Sequence, residues 1–149
     1  MKTHQWQLKY IEWFSAEEMH EAAKNWVSEL NFVRDEQYFF EHLLQQFSKT
    51  DVCSKVTFSC QTLLEELAPL QKECNLLVSA LLRHRNKLYI LLDGINQIEE
   101  EDFYRETHEE FVDVIGEFLM KHNQLKKDVF ETVKVELRER RKDHLFLAS

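Results

Sequence analysis

Glycine and proline are nearly missing from this chain, two of one and one of the other in 149 residues. Glycine alone averages about 7% in globular sequences, so folds built on tight hairpins or glycine-rich phosphate loops are excluded. CxxC pairs, HExxH and GxSxG elbows are absent too, which removes common signatures of redox, zinc-protease and hydrolase sites. No stretch approaches the roughly 18 apolar residues of a membrane span, so no membrane partner is expected. The opening Met1–Gln7 has no apolar run of the secretory kind, and the expected location is cytoplasmic. Negative charge outnumbers positive, 27 residues to 19. A formal net charge of −8 argues against nucleic acid as a partner, because backbone binding needs clustered lysine and arginine.

What is present is helical periodicity. Met19, Ala23, Trp26, Leu30, Val33, Gln37, Phe40, Leu44 and Phe47 step by threes and fours. A second series runs from Cys53 through Val56, Cys60, Leu63, Leu67, Leu70, Cys74, Leu77, Leu81, His84, Leu88 and Leu91 to Ile95. The third is Tyr104, His108, Phe111, Ile115, Phe118, His122, Leu125 and Val129, after which the stripe drifts to Phe130, Val133 and Leu137. Such spacing keeps side chains on one face for burial against partner helices.

The fold class is therefore all-α: an elongated antiparallel bundle of three long helices, or four if the last segment breaks near Asn123. Residues 1–149 form one domain, with helices over 15–48, 51–93 and 99–142. Residues 1–14 are an aromatic strap and 143–149 a tail. Ser15-Ala16-Glu17-Glu18 reads as a capping box, and Gly94 as the C-terminal stop of the second helix. Pro69 should kink that helix rather than break it, since the seam continues in register beyond it. Glu99–Asp102 and the basic run Arg138, Arg140, Arg141 and Lys142 sit at opposite ends of the third helix, matching its macrodipole. In architecture alone the chain resembles spectrin-type and adaptor bundles, which carries no activity with it.

The cysteines read as buried free thiols in a reducing compartment. Cys53 and Cys60 lie about 10 Å apart along a helix, too far for a disulfide.

Polar residues on the seams are the remaining candidates for chemistry. If the first two helices turn near residue 50 and the last two near 96, then His84, His108, His20 and Glu17 fall in one layer. Imidazole and carboxylate donors suit zinc or iron, so these four are the candidate metal ligands. Against that stands the ordinary fate of a buried histidine, a hydrogen bond to a neighbour. A di-iron carboxylate site needs two Glu-x-x-His motifs, and only Glu17–His20 fits. Cys74 and His122 could share a layer, but a thiol among leucines is a poor nucleophile. Gln37 would fix register by demanding a partner. Arg83–Lys87 form a polar patch fit for solvent or an anion.

No catalytic residue and no cofactor is expected. The chain reads as a non-enzymatic helical protein acting through self-association, as a homodimer, or through another protein. The alternative is the metal-binding bundle; a sensor with an apolar ligand at one end is a third. Candidate interface residues are the aromatics off the seams, Trp6, Trp13, Phe32, Phe39 and Phe103, because aromatics are the usual interface anchors.

Overall fold

The computed structural model describes residues 15–49, 55–93 and 98–148, all helical apart from Ser15 and Lys49. Its helices are α1 (Ala16–Ser48), α2 (Lys55–Asp93) and α3 (Ile98–Ala148). The Ser15 hydroxyl oxygen accepts the Glu18 N–H at 3.2 Å, and its carbonyl accepts that of Met19 at 3.0 Å. Two first-turn donors are thereby satisfied. At the other end of α1 the Ser48 hydroxyl donates to the Gln45 carbonyl at 2.9 Å.

Contacts group the chain into two compact units. Unit 1 comprises Met1–Val33 and Glu73–Leu119; unit 2 comprises Arg34–Lys72 and Met120–Ser149. Each unit draws on all three helices. The core of unit 1 is built from Met19, Ala23, Leu30, Leu81, Ile115 and Phe118, among others. Ala16 and Tyr104 close over Met19 and Ala23. The core of unit 2 includes Phe40, Leu44, Leu63, Leu67, Leu125 and Val129.

Burial follows the seams closely, with Val27 and Val78 as additions beside them. Two sequence expectations need correction. The last stripe holds its line through Leu125, Val129 and Val133, while Phe130 and Leu137 are 48% and 54% exposed. Steps of four keep the same face toward its neighbours, so the expected drift does not occur. The third helix is one element, unbroken at Asn123, and it continues through 143–148 instead of ending in a tail. No glycine or proline follows Gly116 to stop it. The start expected for α2 at residue 51 falls in 50–54, outside the described residues; the described part of the helix runs from Lys55. Gly94, Cys53, Trp6 and Trp13 also lie outside them.

Pro69 sits on the exposed side of α2 and the helix runs through it. Among the described residues no helix is long and apolar enough to cross a membrane.

Candidate functional site

In unit 1, α2 and α3 bring two seam histidines together. His84 Nε2 and His108 Nδ1 stand 3.2 Å apart, one donating and the other accepting according to tautomer. Trp26 of α1 stacks on His108 at 4.6 Å between ring centroids, and Phe111 lies 4.9 Å from His84. Burial, helped by the nearby Lys87 charge, lowers the His84 pKa to about 4. Burial, then the neighbouring His84, does the same to His108. Both rings are neutral at physiological pH, as a low-dielectric setting demands. His108 Nε2 is buried with no hydrogen-bond partner among the described residues. His84 also borders a small hollow of about 240 Å³ with Arg83, Lys87, Tyr104 and Thr107.

Of the four candidate metal ligands, then, two meet. Glu17 is exposed and His20 half-buried. Among the described residues no group of three or more histidines, cysteines, aspartates or glutamates is placed to hold a metal ion. The α2–α3 register was read correctly, since His84 meets His108. The α1–α2 register was not. Cys74 Sγ donates to the Leu30 carbonyl at 3.4 Å, whereas a turn at residue 50 would have set Cys74 against Trp26. That error is one helical turn.

Unit 2 has its own polar cluster. Burial alone would raise the Glu36 carboxyl, but His122 at 3.1 Å and the Lys126 ammonium outweigh it and hold its pKa below the usual 4.5. His122 thus spends Nε2 on Glu36. Gln37 is fully buried and neither end of its amide finds a partner among the described residues.

Beside this cluster α1 and α3 leave an open groove of about 920 Å³. Phe39 and Leu43 form one wall, Phe130, Val133 and Leu137 the other, and Lys126, Lys127 and Lys134 stand along it with Glu131. Phe39, at 57% exposed, and Phe130 flank the buried Phe40, each or nearly each edge-on to it. Of the aromatics singled out from sequence, Phe32, Phe39 and Phe103 are all more than half exposed, so none of the three is core. Phe130 and Leu137 were missed as groove residues because they were assigned to the buried stripe. Their seven-residue spacing, repeated by Lys127 and Lys134, was the available signal. Compared with protein families, curated proteins and solved structures, the chain has no match in any of the three.

Proposed function

We propose that this chain is a non-enzymatic helical-bundle protein that acts by binding protein, a second copy or another chain, through the groove of unit 2. The supporting observation is the groove itself: three large apolar side chains, Phe39, Phe130 and Leu137, each about half exposed along one channel between helices. A helix laid into such a channel buries apolar anchors at i, i+3, i+4 and i+7, and continuous apolar patches of this kind mark interaction sites. Cys60 and Cys74 are buried free thiols, which supports a reducing compartment such as the cytoplasm.

Photo-cross-linking in the producing cells tests this reading. A benzoylphenylalanine placed at position 39 or 130 should give a discrete covalent adduct, whose mass tells a second copy from another protein. The same probe at Leu76, exposed in unit 1, should give none. Absence of adducts from both groove positions would overturn the proposal.

A second reading, a metal-binding bundle, is favoured by one contact. The 3.2 Å between His84 Nε2 and His108 Nδ1 is close to the roughly 3.3 Å that separates two imidazole ligands on one zinc with bonds of about 2.0–2.1 Å. Elemental analysis of untagged protein purified without chelators decides it. Stoichiometric metal that is lost in His84→Ala supports the reading, and metal-free protein ends it.

A further inference from the structure

We infer that the groove of unit 2 receives the first half of α3 from a second copy of this chain, laid antiparallel, making a head-to-tail contact. The inference rests on the proposed function and names the occupant. Charge selects it. In a chain of net charge −8, the groove is lined by Lys126, Lys127 and Lys134 with Glu131, and because Lys126 is paired with Glu36, Lys127 and Lys134 are left against Glu131. Two such grooves face to face would set lysine against lysine, which disfavours the symmetric dimer. The fitting occupant is an acidic helix with a few apolar anchors.

The chain carries one. Phe103, Glu106, Glu110, Val114 and Glu117 follow one another at steps of three and four, so they share one face of α3. All five are exposed, Phe103 by 61% and Val114 by 43%. The three glutamates make no ion pair among the described residues.

Spacing then fixes direction. Along the groove, Lys127, Phe130 and Lys134 are separated by three and then four residues. Read backwards, Glu117, Val114 and Glu110 are separated by three and then four as well. An antiparallel helix therefore sets Lys127 against Glu117, Phe130 against Val114 and Lys134 against Glu110. Continued in the same register, Arg138 meets Glu106 and Arg141 meets Phe103, a cation beside an aromatic face. A parallel helix breaks this order. Because donor and acceptor surfaces differ, each copy can both give and receive.

Charge reversal followed by restoration is the test, read by sedimentation velocity over a range of concentration. All four positions are exposed, and circular dichroism melts confirm that each variant folds. Wild type should self-associate. The groove variant Lys127→Glu/Lys134→Glu and the face variant Glu110→Lys/Glu117→Lys should each associate at least about tenfold more weakly, as like charges now oppose. The chain carrying all four substitutions should recover self-association. Monomeric wild type, double variants that associate like wild type, or a fourfold variant that stays monomeric would each overturn the inference. Adducts at position 130 that carry a different protein would overturn it too, while leaving the proposed function standing.

Discussion

His84 and His108 lie buried in unit 1 with their facing nitrogens 3.2 Å apart and both pKa values near 4, against an ordinary 6.5. Above pH 6.5 the rings are neutral in the folded and unfolded chain alike, and stability is at its full value. Between 6.5 and 4 the unfolded chain takes up protons that the folded chain refuses, so stability falls as pH falls. The slope approaches about 1.4 kcal/mol per pH unit for each ring. Urea melts at pH 7 and pH 5 should therefore differ clearly in midpoint, and His84→Leu/His108→Leu should flatten that difference. Glu36, held below 4.5, has the same sign in a lower window. Its contribution is full above 4.5 and is lost as pH drops through its own depressed value. Unit 2 loses that support only in stronger acid. Sequence located both histidines on their seams, yet it could not show that Gln37 lacks a partner among the described residues, because hydrogen bonding depends on neighbours from other helices.

α3 runs unbroken from Ile98 to Ala148 although it contains Gly116. A Cβ built there meets nothing within 4 Å, so the glycine serves no close approach and only adds backbone freedom to the unfolded chain. Gly116→Ala should stabilise the protein by about 1 kcal/mol, a rise of a few degrees in the thermal midpoint that calorimetry can read. Helix existence, type and buried face were legible in the sequence because periods of three and four survive over many turns. Helix ends were less so. The basic run near residue 140 reads as a terminus, yet Arg140 reaches Glu136 at 2.9 Å and its guanidinium lies 4.7 Å from the Phe47 ring centroid. Contacts to its own helix and to α1 occupy a side chain assigned to the macrodipole. The one-turn error between α1 and α2 has a similar origin: periodicity gives the face of a helix, but the connection sets its height against the next.

At the scale of the whole molecule, the candidate site was half legible. Phe39 was singled out as an off-seam aromatic, but the groove beside it needs Phe130 and Leu137 to face outward. That outward turn comes from Val129 and Val133 holding the core side of α3, a choice made by packing and invisible in a list of apolar positions. Among the described residues each compact unit keeps one buried thiol: Cys74 in unit 1, Cys60 in unit 2. Burial, with Glu136 nearby, pushes the Cys60 pKa above its usual 9.0, and the fully buried Cys74 is bonded to the Leu30 carbonyl. Neither sulfur reacts until its surroundings open. In a Cys53→Ser background each thiol is thus a clock set inside its own unit, and alkylation followed by mass spectrometry reads both at once. Equal rates would mean that the two halves open as one cooperative body. Different rates would mean that the chain breathes in two places independently, with the slower clock marking the half that holds the fold together.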